Sequence, residues 1–206
     1  MRRRRFIGAA GCALAATAGC LSGSDDATPT DSEGSGPDDG TPTGTPADDP
    51  LTDAGCPSFS DSADQTVCTH TDHDADVYPT VSDRVFAPTT DDDSVELLKI
   101  QLHNEGDSVF GLNPYEWSLK RQTGDGWEHV APEEYIEPWY NLAPGEAYTW
   151  TLSVETHPSP NGDRHTSITE NLDAGTYAFQ VTGIADPGSD NGTTIESIAL
   201  FNLERD

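Results

Sequence analysis

Leu172-Asp173-Ala174-Gly175-Thr176-Tyr177-Ala178-Phe179-Gln180-Val181 is the stretch whose reading decides the fold of this 206-residue chain. A polar turn ending in glycine is followed by Tyr177, Phe179 and Val181 at alternate positions. That is the period of a half-buried strand, and the glycine marks its entry. The same texture runs outward in both directions. Downstream, Ile195 to Leu203 closes the chain as a last strand. Upstream, Tyr148, Trp150, Leu152 and Val154 alternate with Thr149, Thr151 and Ser153, after a turn at Leu142-Ala-Pro-Gly-Glu146. Thr123-Gly-Asp-Gly126 carries a hairpin signal between a strand with Tyr115, Trp117 and Leu119 and another over 127–130. Leu98, Ile100 and Leu102 face one way, while Lys99, Gln101 and His103 face the other. A weaker strand is expected over 77–86. No amphipathic helix of ordinary length is legible.

Seven or so short strands over roughly 130 residues, punctuated by Gly and Pro turns, define an all-β antiparallel sandwich. The order of a strand ending in Leu102-His-Asn104, then Trp127-Glu-His-Val130, then Leu142-Ala-Pro-Gly145, then Leu172-Asp-Ala-Gly-Thr-Tyr177 resembles bacterial immunoglobulin-like domains. The resemblance covers residues 94–203. It implies that the Leu-x-x-Gly-x-Tyr segment enters a late core strand, much as in the tyrosine corner of related sandwiches. Intracellular proteinase-inhibitor domains share a similar strand pattern more distantly. These motifs are turn and core residues, so they bear on fold rather than activity.

The N-terminus reads differently. Four arginines, Arg2 to Arg5, precede Phe6-Ile7 and a run of small apolar residues from Gly8 to Gly19. A basic cluster, a short apolar stretch and a small-residue exit make a secretory signal. The paired arginines before Phe6-Ile7 resemble the twin-arginine export signal. From Phe6 to Leu21 the segment is 16 residues, short of the roughly 20 a membrane-spanning helix needs. Ala16-Thr17-Ala18-Gly19-Cys20 resembles a lipobox, with Thr17 where a Leu is more common. The resemblance implies a lipid on the Cys20 thiol and membrane attachment through it, on the outer face of the membrane. Ala16-Thr17-Ala18 is also an acceptable ordinary cleavage site, which would release a secreted protein.

Residues 22–53 are almost entirely Ser, Thr, Gly, Pro, Ala and Asp with no aromatic, so they cannot bury enough apolar surface to offset ordering entropy. They read as a disordered tether, with a coil reach of about 30 Å. The expected organisation is a signal with lipobox over 1–20, a linker over 21–54 and the sandwich over 55–206.

Charge describes the surroundings. With the signal's 4 arginines subtracted, the 10 basic residues fall to 6 against 37 acidic, a balance of −31. The only lysines are Lys99 and Lys120. The composition resembles that of halophilic archaea. At 1 M salt the Debye length is about 3 Å, which screens such self-repulsion. The balance excludes nucleic acid as a partner, since phosphate binding needs clustered Lys and Arg.

Of the four cysteines, Cys12 lies in the signal and Cys20 is the lipid acceptor. Cys56 and Cys68 are expected to pair in an exported protein. The rival is a metal site in Cys68-Thr-His70-Thr-Asp-His73-Asp74-Ala-Asp76. Asp72, Asp74 and Asp76 lack the glycine a calcium loop needs at its sixth position, where Val77 stands. Met1 is the sole methionine, so a blue-copper axial ligand is missing. His70, His73 and Asp74 are therefore weak candidates; the expectation is a polar loop, no metal and no cofactor.

There is no Gly-x-Ser-x-Gly elbow, no His-Glu-x-x-His and no phosphate-cradling glycine loop. Trp117, Trp127 and Trp150 fall at strand positions and read as core. Pro138-Trp139-Tyr140-Asn141 lies between strands, where Trp139 and Tyr140 are either a protein- or glycan-contacting face or a cap on the sandwich. Asn191-Gly-Thr193 is a glycosylation sequon. The reading as a whole is a non-enzymatic, lipid-anchored surface module that binds or scaffolds. The alternatives are a protease-inhibitor-like or metal-handling module and, further off, a hydrolase.

Overall fold

The computed structural model describes residues 51, 54–72, 74–89, 95–154 and 163–205, all within the second of two compact units, Gly44–Asp206. The signal, Cys20, most of the linker and His73 lie outside the described residues. Among the described residues are eleven strands and no helix.

The strands are β1 (Gln65–Cys68), β2 (Val77–Val81), β3 (Val85–Phe86), β4 (Leu98–Asn104), β5 (Phe110–Thr123), β6 (Gly126–Ala131), β7 (Tyr140–Leu142), β8 (Glu146–Ser153), β9 (His165–Thr169), β10 (Gly175–Ala185) and β11 (Thr193–Leu203). One sheet runs β1-β11-β10-β5-β6, with β3 on β11 and β7 on β5; the other runs β2-β4-β8-β9. The protein is an immunoglobulin-like β-sandwich. β2, β4 and β8 stand in the positions of strands A, B and E, and β5, β10 and β11 in those of C, F and G. β9 occupies the edge where strand D would lie, although it follows β8 in the chain.

The inner faces carry the alternating residues. Leu98, Ile100 and Leu102 of β4, Tyr148, Trp150 and Leu152 of β8, and Tyr177, Phe179 and Val181 of β10 are all buried. Trp150 sits at the centre and donates its indole N–H to Pro114 O at 2.8 Å, while its ring lies 5.3 Å from that of Phe179. Loss of such a side chain to Ala costs about 3–5 kcal/mol. The Leu172–Tyr177 turn is a tyrosine corner: the Tyr177 hydroxyl donates back to Asp173 O at 2.7 Å. Gly175 takes φ +152° there, a backbone conformation that L side chains rarely adopt, and the Arg121 guanidinium packs against its Cα.

The chain departs from the expected pattern in three respects. The single strand expected over 77–86 is two. β2 pairs with β4 in one sheet and β3 with β11 in the other. The chain crosses between sheets at Ser82-Asp83, where the Ser82 hydroxyl donates to Asp83 and accepts from Lys99 N. β1, β7 and β9 are strands beyond the expected set. The antiparallel ladders are supplemented by three parallel pairings, β1–β11, β3–β11 and β8–β9.

The segment before β2 lies across the outer face of the larger sheet. Leu51 and Cys68 pack with Ala178, Ile198 and Leu200, and Phe59 and Trp127 close over them. The Cys56–Cys68 disulfide is formed, across 12 residues; a loop of that length stabilises by about 3 kcal/mol in the chain-entropy view.

Candidate functional site

Where β10 advances from Val181 to Gly183, β5 passes from Trp117 to Leu112. Four residues of β5, 113–116, stand opposite the single Thr182 and bulge out of the ladder. Bulges re-aim side chains and sit beside sites, and this one organises the surface around it. Pro114 within it cannot donate to a ladder, which is one reason the strand breaks pairing there. Asn113 turns inward, donating its amide to Ile136 O at 2.8 Å while its carbonyl oxygen accepts from Tyr115 N. Tyr115 and Glu116 are thrown outward.

The loop over 132–139, Pro-Glu-Glu-Tyr-Ile-Glu-Pro-Trp, is held against that bulge at several points. His129 donates Nε2–H to Pro132 O at 2.9 Å, and its Nδ1 accepts from the Ser118 hydroxyl. The Tyr135 hydroxyl donates to Glu116 Oε1 at 3.1 Å. As hydrogen-bond acceptor first and charge second, Glu116 raises the Tyr135 phenol above its ordinary value, keeping it a donor. Trp139 donates to Asn141 Oδ1 and lies flat on the backbone of Gly111. A Cβ at that glycine would fall 2.5 Å from Trp139 Cζ2, so only glycine admits the indole. Despite these anchors Tyr135, Ile136 and Trp139 are 48, 62 and 53% exposed, three large apolar side chains on one pinned loop.

Tyr135 separates two grooves. One, of about 490 Å³, runs between the loop and β9 and is lined by Tyr115, Trp117, Glu134, Ile136, Thr166 and Ile168, among others. The second, of about 450 Å³, lies toward Phe59 and Ser118, with Glu116 and Glu133 in its wall.

Trp139 and Tyr140, adjacent in sequence, are separated by environment. Trp139 is exposed, whereas Tyr140 is half-buried and packs edge-on against Tyr148 at 5.8 Å. In the stretch considered for metal, Cys68 is in the disulfide, and His70 donates Nε2–H to Ala54 O at 2.8 Å. Asp72 accepts from Cys68 N and the Thr71 hydroxyl. Asp74 is exposed. No group of three His, Cys, Asp or Glu able to hold a metal occurs among the described residues. Asn191 is exposed in the turn before β11, its N–H donating to the Ser189 hydroxyl.

The Ser118–His129 pair has the residue types of a nucleophile and base, yet it is one of a set. His103 pairs with Thr80, and His165 with Thr151, through cross-strand contacts of 3.0 and 2.9 Å. In this sheet chemistry a hydroxyl opposite an imidazole is a recurring rung. Sequence reading missed Tyr115, Tyr135 and Ile136 as surface residues. The available signal was the apolar pair Tyr135-Ile136 set among three glutamates and bracketed by two prolines.

No family model and no curated protein matches the chain. Among solved structures it is similar to structural-genomics target SoR45, at 13% identity over 63% of this chain and 87% of that one, with a TM-score of 0.36. The PapD-like domain 7 (ASH) of human CEP192 aligns at 10% identity over 62% and 86%, with a TM-score of 0.28. The fold class stands on this chain's own strand order.

Proposed function

We propose that the chain is an exported module, lipid-anchored through Cys20, that binds a partner at the cell envelope through the loop over 132–139. The observation that carries this reading is the loop itself: it exposes three large side chains, of which Tyr135 and Trp139 are held by hydrogen bonds to Glu116 and Asn141, while Asn113 holds the backbone carbonyl of Ile136. Pinned aromatic residues lose little conformational entropy on binding, which is why such residues dominate contact energetics. Export is supported by the arginine-led signal and by a disulfide, which persists in oxidising compartments. Attachment is supported by the lipobox resemblance at Cys20 and by the tether-like composition that follows it.

Two changes test it together. Cys20→Ala is expected to move the protein from the membrane fraction to the medium or leave it unprocessed. Ile136→Ala with Trp139→Ala is expected to abolish capture of partners from envelope extract while the melting temperature holds, because both side chains are more than half exposed. Unchanged fractionation of the first variant would overturn the anchor. Unchanged capture by the second would overturn the surface. A protease-inhibitor role would use the same loop and would show as inhibition lost with the same pair of changes.

A further inference from the structure

Beyond that partner surface, we propose that the groove between the loop over 132–139 and β9 holds a small organic cation carrying a methylated ammonium group.

The groove opens between the two sheets, with β5 and the loop on one side and β9 on the other. Its volume of about 490 Å³ lies within the roughly 300–1,000 Å³ of small-ligand sites. Three of its wall residues, Tyr115, Trp117 and Tyr135, are aromatic. Trp117 is fixed from behind by stacking on Phe179, with ring centroids 5.7 Å apart. Tyr135 is fixed at its tip by the hydroxyl bond to Glu116. Ring faces carry the negative part of the aromatic quadrupole and attract cations. A phenol donating to a carboxylate gains electron density in its ring, so Glu116 strengthens Tyr135 in this role.

Charge narrows the ligand. No Lys, Arg or His lines the groove, so an anion would find no partner there. Glu134 does line it, exposed and without a hydrogen bond or ion pair among the described residues. Arg164, just before β9, is engaged by Glu146 at 2.6 Å, and Lys120 lies over the Phe59 ring, 5.0 Å from its centre. The carboxylate of Glu134 opposes a phosphate attached beside the ammonium, so a free cation fits better than a phospholipid headgroup.

Hydrogen bonding narrows it further. The side-chain hydroxyls of the wall are committed or covered: Thr166 bonds to the Tyr148 hydroxyl, Tyr135 donates to Glu116, and the Ser167 hydroxyl is buried. A ligand rich in N–H or O–H groups would lose bonds to water without replacement. A metal ion would too, since it needs several oxygen ligands and aromatic carbon supplies none. A methylated ammonium carries charge with no N–H to satisfy, and its methyl groups suit Ile136 and Ile168. At 1 M salt attraction between separated charges is screened beyond about 3 Å. Carboxylates alone then select no cation, whereas contact with ring faces and burial of methyl groups persist.

The test uses the full chain, at the lowest salt where circular dichroism shows it folded, with choline chloride as the probe and sodium chloride as the blank. Binding is followed by ligand-observed saturation-transfer NMR, beside dimethylbutanol, the uncharged carbon isostere of choline. Saturable choline binding is expected, about tenfold tighter than that of the alcohol. Tyr135→Leu removes a ring and should weaken it about tenfold, while Tyr135→Phe, which keeps the ring but not the bond to Glu116, should fall between. Glu134→Gln should weaken it as well. Phosphocholine should bind less tightly than choline, and tighter binding would assign the groove to a phospholipid headgroup and overturn the free cation. Equal binding of choline and the alcohol, or choline binding indifferent to Tyr135→Leu, would mean an unselective apolar cleft or adhesion elsewhere and overturn the proposal. Choline failing to bind, with envelope capture through Ile136 and Trp139 intact, sinks the groove ligand and leaves the binding module standing.

Discussion

Glu196 is fully buried on β11, and what surrounds it explains how a carboxylate can stay there. Its two oxygens accept from Ser58 Oγ, Phe59 N, Thr66 Oγ1 and Gln180 Nε2, at 2.7 to 3.0 Å. Burying a charge is costly unless every lone pair is answered, and here one carboxylate ties the segment over 58–66 to the sheet beneath it. The donors differ in kind. Oε1 takes two N–H groups, which can only donate, while Oε2 takes two hydroxyls, which can rotate and accept. Glu196→Gln can therefore keep its carbonyl toward the N–H groups and offer its amide to the hydroxyls. It is expected to change stability by less than about 1 kcal/mol, whereas Glu196→Leu leaves donors unanswered and should cost about 3 kcal/mol. Denaturant midpoints of the two variants check this, and equal losses would contradict the assignment of donors. Nothing in the sequence singles out Glu196 among 37 acidic residues, because what marks it is a neighbour 138 positions away. Trp150 and Trp139 were separable by reading alone: one alternates with threonines in a strand, the other follows a proline outside any alternating run.

At the scale of elements, the strands that declared themselves are those with one wet and one buried face. β4, β8 and β10 read correctly because period two was unbroken. β1, β7 and β9 escaped because each is five residues or fewer, too short for a period to emerge, and β1 and β9 pair in parallel, so no hairpin turn announces either. The bulge of β5 escaped because Asn113-Pro114 reads as a turn, although the strand resumes beyond it. The pairing of β2 with β4 carries a pH dependence of its own. His103 stacks on Tyr78 at 5.1 Å and bonds to Thr80. Burial, the largest influence, lowers its pKa below the ordinary histidine value; Lys99 adds to this and Glu105 opposes it. As pH falls through about 6.5, the unfolded chain takes the proton before the folded one does. Stability then rises with pH across that window, so the His103 contribution is present above it and lost on acidification. His103→Phe keeps a ring on Tyr78 without the titration. The melting temperature of the parent should drop between pH 7.5 and 5.5 by more than that of the variant; parallel drops would place the titration elsewhere.

For the whole molecule, the question is how so acidic a surface coexists with an ordinary core. The interior is that of a well-built sandwich, with Trp150, Tyr148, Tyr177, Phe110, Phe179 and Phe201 all fully buried and a disulfide besides. Against it stands a chain with 37 acidic and 10 basic residues. Two like charges about 8 Å apart repel by roughly 0.5 kcal/mol in water before screening, and many such pairs add to a sum comparable with the net stability of a domain. Screening over about 10 Å at 0.1 M contracts to about 3 Å at 1 M. The domain is accordingly expected to unfold cooperatively as salt is lowered below about 1 M. Salt could also act by a different route, since sulfate strengthens apolar burial through exclusion from the protein surface. The two routes separate in one titration followed by circular dichroism. If relief of repulsion is the cause, potassium chloride and sodium sulfate at equal ionic strength should give the same midpoint, and sucrose should not substitute. If apolar burial is the cause, sulfate should act at a fraction of the chloride concentration and sucrose should help. A domain that stays folded in dilute buffer would refute both and leave the acid to another purpose, such as the choice of a basic partner.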